Sequence, residues 1–123
     1  MAIDLRTLEG WLTAYGRAWE TRDADAAAAL FSSNANYFET PYAEPFAGSA
    51  GVREYWARVT SDHSDVKFRH TIVGLADGVG VARWNAKLTL ASTDGPLELD
   101  GVFLLTFDAD GLCKELREWW HAR

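Results

Sequence analysis

Cysteine is almost missing from this chain: Cys113 is the single one in 123 residues. No internal disulfide can brace the fold, and no thiolate cluster can hold a metal. A lone thiol fits a reducing, cytoplasmic setting. Basic charge is also scarce, with 12 Lys and Arg against 18 Asp and Glu and a net charge of −6. Phosphate backbones need a basic field, so nucleic acid is not an expected partner. No apolar run approaches the roughly twenty residues of a membrane span. The start, "MAIDLRTLEGW", carries acids and a helical pattern instead of a leader peptide. No glycine-rich loop cradles phosphate and no His-x-Glu spacing suggests a metal site, so neither cofactor nor metal is expected. Two of the three prolines, Pro41 and Pro45, fall in one stretch, "TPYAEPFAG", which excludes regular structure there.

Aromatic residues are abundant instead. Six tryptophans stand among sixteen aromatics, enough for a core and for the wall of an apolar cavity as well. At this length residues 1–123 form one expected domain. Leu5, Leu8, Leu12, Tyr15 and Trp19 recur at helical steps, so residues 4–21 are an expected amphipathic helix with Asp4 as N-cap. Asp23 caps a short helix, "ADAAAALF"; "NANYFE" alternates into a strand; Ser49 caps a third helix, "AGVREYWARVT". After residue 65 the period becomes twofold, giving strands near 66–76, 79–91, 97–107 and 112–121. The turns "ADG", "STDGP" and "DADG" between them are short enough to require antiparallel pairing. The fold class is α+β: three helices against a curved, mostly antiparallel sheet.

Side chains alternate across a strand, so parity assigns faces. Val66, Phe68, His70 and Ile72 share one apolar face; Ala82, Trp84, Ala86, Leu88 and Leu90 form the next. Leu97, Leu99, Gly101, Phe103, Leu105 and Phe107 point inward, with Glu98 and Asp100 outward. In the last strand Leu112, Leu116 and Trp120 mark the inner face with Glu118 among them, leaving Cys113, Glu115, Arg117, Trp119 and His121 outside. The exposed Trp119, with Arg117, Arg83 and Lys87, suggests a homodimer through the outer sheet face.

Three titratable groups thus fall on apolar faces: Glu39, His70 and Glu118. Burying such groups is costly unless they are paired, and it raises a carboxyl's pKa toward the range of useful proton exchange. Tyr15 lies on the inner stripe of the first helix. These four converge on an expected cavity walled by Trp19, Tyr37, Tyr55, Trp56 and Phe68 from one side. Trp84, Leu88, Phe103, Leu116 and Trp120 wall the other.

"AYGRAWETRDADAAAALFSSNA" and "FAGSAGVREYW", in this order of helices and strands, resemble the NTF2-like superfamily, including SnoaL-like proteins and ketosteroid isomerases. The resemblance implies a cone-shaped α+β roll with an apolar pocket at its wide end, commonly homodimeric. It implies that Tyr15 matches the oxyanion-donating tyrosine of the isomerases, Glu39 their general base, and Trp120 an aromatic of the pocket. Their second oxyanion group, an acid kept neutral by its apolar site, falls on Phe103 here. SnoaL-type cyclases use an inner aspartate as acid/base, a role that Glu39 or Glu118 could fill. Two functions stay open. One is a cofactor-independent isomerase or lyase acting on a small apolar carbonyl compound, with His70 and Glu118 relaying protons. The other is a non-catalytic small-ligand-binding module.

Overall fold

The computed structural model describes residues 3–123, so the first two positions of the expected domain lie outside the described residues. Helix α1 spans Leu5–Glu20, capped by the Asp4 carboxylate accepting from the Thr7 amide at 2.8 Å. It buries Leu8, Leu12, Tyr15 and Trp19 of the expected stripe and adds Trp11, whereas Leu5, at the helix start, is exposed. Helix α2, Ala24–Ala28, is shorter than expected. Leu30 and Phe31 leave it because strand β1 begins at Phe31 and runs to Phe38. The Phe31 ring packs edge-on under Trp11, 5.6 Å between centroids. A two-residue strand β2, Phe46–Ala47, leads into α3, Gly48–Thr60. Ser49 therefore lies inside α3 and not at its cap, where Ala47 stands without a side-chain bond.

Four long strands follow: β3 His63–Ala76, β4 Val79–Leu90, β5 Gly95–Phe107 and β6 Cys113–Ala122. The sheet order is β2-β1-β6-β5-β4-β3. All pairings are antiparallel except β1 with β6, which run parallel because the whole meander intervenes between them. The curved sheet wraps around the helices as an α+β roll, and α1 packs on β3 while α3 packs on β1. Backbone contact is close at two glycines. A Cβ on Gly16 would stand 2.4 Å from the Phe68 ring, so the bare backbone of α1 seats that ring. Gly101 lies in register between Trp84 and Trp120, and a Cβ there would meet the Trp119 carbonyl at 2.4 Å and both indole side chains at 3.0 Å.

Two of the sheet's register shifts decide which way His63 and Cys113 face. The β3–β4 register shifts between Ser64 and Lys67, around Asp65 with φ of 50°, and this turns His63 inward. The β5–β6 register shifts as Phe107 pairs with Cys113 and Thr106 with Glu115, leaving Lys114 extra. Cys113, expected outside, is thereby fully buried, and burial pushes its thiol pKa up.

Candidate active site

The roll encloses a cavity of about 280 Å³. Tyr15 and Trp19 enter it from α1, Tyr55, Trp56 and Val59 from α3, and Tyr37 and Glu39 from β1 and its end. The sheet supplies His63, Trp84, Leu97 and Leu99 from β3, β4 and β5, and Glu118, Trp120 and Ala122 from β6. Of the residues that the sequence pointed to, Tyr15, Glu39, Glu118, Trp19, Tyr37, Tyr55, Trp56, Trp84 and Trp120 meet here. Phe68, Leu88, Phe103 and Leu116 do not line it. They form the layer behind, as when Phe103 stacks on Trp84 at 5.2 Å and meets Tyr15 edge-on at 5.5 Å. Large rings facing a narrow cone fill the first layer, so side chains of correct parity but deeper register become core.

His70 is the clearest correction. Its parity is right, but its Nε2 lies 2.5 Å from the Glu9 carboxylate of α1, and it borders a separate groove with Arg69, Thr71 and Arg83. Phe68, packed on Tyr15 and Trp84, fills the layer behind the cavity on the same face of β3. The expected His70–Glu118 pair does not form. The histidine of the cavity is His63, which lies before the expected start of this strand at residue 66 and so has no expected face; the observed strand begins at His63, and the register shift around Asp65 turns it inward.

Glu118 sits at the centre of the polar groups. It is 5% exposed, and its Oε2 accepts from the Tyr37 hydroxyl at 2.9 Å. Tyr37 in turn shares a 3.0 Å hydrogen bond with Tyr15. Burial pushes the Glu118 carboxyl up to about 8; the Tyr37 bond opposes the shift and the Glu39 charge adds to it. At neutral pH it is therefore mainly a neutral acid. Burial and the Glu118 charge hold Tyr15 and Tyr37 well above the usual phenol range, so both stay donors. The other oxygen of Glu118, Oε1, makes no hydrogen bond to the described residues and is not sealed off. It is available to a ligand.

Glu39 stands half-buried at the rim. Its Oε2 accepts from the Tyr55 hydroxyl at 2.5 Å, and its backbone carbonyl accepts from the Trp120 indole at 3.2 Å. The half-exposed Trp120 thus ties β6 to the end of β1. Two other wall indoles, Trp56 and Trp84, bury their N–H groups without a partner among the described residues. No cluster of three metal-ligating side chains occurs among those residues. No helix among them is long and apolar enough to cross a membrane.

A curved six-stranded mixed sheet closing over helices, with acids and phenols inside, defines a class of small rolls, the NTF2-like superfamily. The SnoaL-like domain family matches residues 12–116, and the chain belongs to it. No curated protein sequence matches significantly. Among solved structures the chain is similar to SalBIII, an epoxide hydrolase/cyclase-like enzyme in pyran ring formation in the polyether salinomycin. That match has TM-score 0.82 and 20% identity, over 96% of this chain and 93% of that one. It is similar to a candidate isomerase from Bacillus subtilis, with TM-score 0.81 and 18% identity over 94% and 87% of the two chains. It is also similar to a hypothetical protein of ketosteroid isomerase-like fold from Catenulispora acidiphila, with TM-score 0.78 and 16% identity over 89% and 83%. At such identities the likeness establishes the fold.

Proposed function

We propose that the protein is a cofactor-independent acid–base catalyst of isomerase, lyase or cyclase type, acting on a small, largely apolar oxygenated compound held in this cavity. One observation carries the reading: Glu118 pairs in register with Phe103, the position where the isomerase pattern keeps its neutral acid. Directly opposed side chains on neighbouring strands lie about 5 Å apart. The acid missing from β5 is thus supplied from β6, buried, and raised to about 8 by that burial.

In such a site the substrate's carbonyl oxygen accepts a hydrogen bond from the protonated Glu118. Glu39 removes a proton from the adjacent carbon, and the electron pair moves onto the oxygen as the enolate forms. Where the enolate is conjugated with a carbon–carbon double bond, return of the proton from Glu39 to the far carbon of the dienolate shifts that double bond and regenerates the carbonyl, completing an isomerisation. In a ring closure Glu39 would instead take the proton of an attacking hydroxyl, while Glu118 protonates the oxygen that leaves its carbon. Tyr15 acts one step back: with Glu118 ionised, protons point from Tyr15 through Tyr37 to the carboxylate. With Glu118 protonated the chain can reverse and present the Tyr15 hydroxyl to the cavity.

The test is solvent-deuterium exchange into the α-positions of small ketones such as 1-indanone. Wild type is expected to accelerate exchange, and Glu118→Gln or Glu39→Gln to lower it by roughly 10²- to 10⁴-fold. Unaccelerated exchange, or exchange indifferent to both substitutions, overturns the reading. A binding module without chemistry is the competing view, and the mutual satisfaction of Tyr15, Tyr37 and Glu118 favours it. That view expects ketone binding with no exchange. We also propose that the outer sheet face, where Trp119 is 45% exposed near Arg83, Lys87 and Arg117, is the surface on which two copies associate.

A further inference from the structure

His63 is 6% exposed and lines the cavity from the first residue of β3. Two strands, β4 and β5, separate β3 from the β6 strand that carries Glu118. The Trp19 indole N–H donates to His63 Nδ1 at 3.1 Å, and the two rings lie 6.1 Å apart at a tilt of 33°. An indole N–H can only donate, so Nδ1 must be the lone-pair nitrogen and the neutral ring must carry its proton on Nε2. Burial also lowers the imidazole's pKa, with Asp62 opposing, which favours this neutral form. Nε2 has no hydrogen-bond partner among the described residues and is not sealed off, unlike the occluded indole nitrogens of Trp56 and Trp84. Trp19 is itself clamped by Trp56 at 5.1 Å and Trp84 at 5.7 Å, so the donor is held in place before any ligand arrives.

We infer that His63, locked by Trp19 as its Nε2–H tautomer, is a positioning residue that donates a hydrogen bond to an acceptor oxygen of the cavity's ligand, away from the Glu118 end. This inference rests on reading the cavity as a ligand site. It specifies the ligand class further: a compact apolar body with two separated oxygen acceptors, a ketone, lactone or ether oxygen for His63 and another for Glu118. Groups that must donate, or that carry positive charge, meet the wrong end of an N–H and are disfavoured. A hydrogen bond of this neutral type discriminates by roughly 2- to 12-fold.

Nitrogen-15 spectra of the histidine rings give the first readout, without any ligand: His63 is expected as the Nε2–H tautomer in wild type, and as a mixture in Trp19→Phe. The second readout titrates 4-chromanone, whose ketone and ether oxygens are separated, against its hydrocarbon analogue tetralin. The ketone is expected to move the His63 Nε2–H resonance in wild type and in Glu118→Gln, whereas tetralin does not. His63→Phe is expected to erase roughly 2- to 12-fold of the ketone's preference over tetralin. His63→Gln, which keeps a donor, should retain part of it and covers the case in which the phenylalanine variant misfolds. An Nδ1–H tautomer in wild type, a ketone that binds without moving His63, or a preference untouched by His63→Phe would overturn the inference. So would a cavity that admits neither probe. Loss of α-exchange with the His63 responses intact would instead defeat the acid–base reading alone.

Discussion

The two faces of one sheet treat acids in opposite ways. Inside, Glu118 is surrounded by rings, bonded to a single phenol, and raised to about 8. Outside, Glu98 on the adjacent strand accepts from Asn85 at 2.9 Å and from Arg123 at 3.0 Å, bonds that hold its carboxyl below the usual range. The chemistry is the same and the backbone almost continuous, since Glu98 and Glu118 belong to paired strands. What differs is water and partners. A charge in a dry, ring-lined cone must pay for its lost hydration, whereas a charge on the wet face meets opposite charges and keeps its solvent. The inner face therefore stores a neutral proton donor and the outer face an ordinary ion pair.

The contrast should be visible in stability. An acid raised in the folded state binds more protons there than in the unfolded chain, so stability is full below its unfolded pKa and falls as pH climbs to the folded one. For Glu118 that window runs from about 4.5 to about 8, and the shift corresponds to about 5 kcal/mol. Denaturant titrations of wild type should show stability declining across this range, and Glu118→Gln should largely remove the decline. A flat wild-type profile, or a decline that survives the substitution, would break the comparison. Glu98 has the reverse sign: its contribution is present above the unfolded pKa and is lost as pH falls through the folded value.

Smaller effects sharpen the same picture. Tyr37→Phe removes the bond that opposes Glu118's shift, so the Glu118 pKa should rise further in a carbon-13 titration. The fold should lose about 1–3 kcal/mol as Tyr15 and Glu118 lose their shared partner. Gly101→Ala places a methyl between two indoles and a carbonyl, at an expected cost of about 1–3 kcal/mol. Its melting temperature should drop by several degrees while Glu118 still titrates high. Glu98→Gln, on the outer face, should change neutral-pH stability least, because its partners are screened by water. Trp119→Ser should keep the monomer fold, shift sedimentation from dimer to monomer, and lower the melting temperature only by the stabilisation that association supplies.

Much of this arrangement was legible one residue at a time. The helical step of Leu8, Leu12, Tyr15 and Trp19 and the alternation of β3 to β6 identify the roll. Parity alone puts Tyr37, Glu39 and Glu118 on the side that becomes the cavity. Parity failed where β6 carries an extra residue, Lys114, which turns Cys113 inward, and His63 lay outside the expected strand altogether; nothing in a local pattern marks which strand will bulge. His70 shows a different limit. Its face was read properly, yet Glu9 of α1 claims it while Phe68 of the same face packs behind the cavity, because depth along a curved sheet depends on where a helix crosses it.

By itself the sequence determined the order of helices and strands, the face of nearly every side chain, and the presence of acids among aromatics. Those follow from periods of 3.6 and 2, which are local properties of the backbone. Only the tertiary structure decided which acid is dry, which histidine meets the cavity, and which rings line it and which lie behind. Those outcomes depend on bulges, curvature and the loss of water between elements far apart in the chain. Hydration is a property of the assembled interior, and no single stretch of residues contains it.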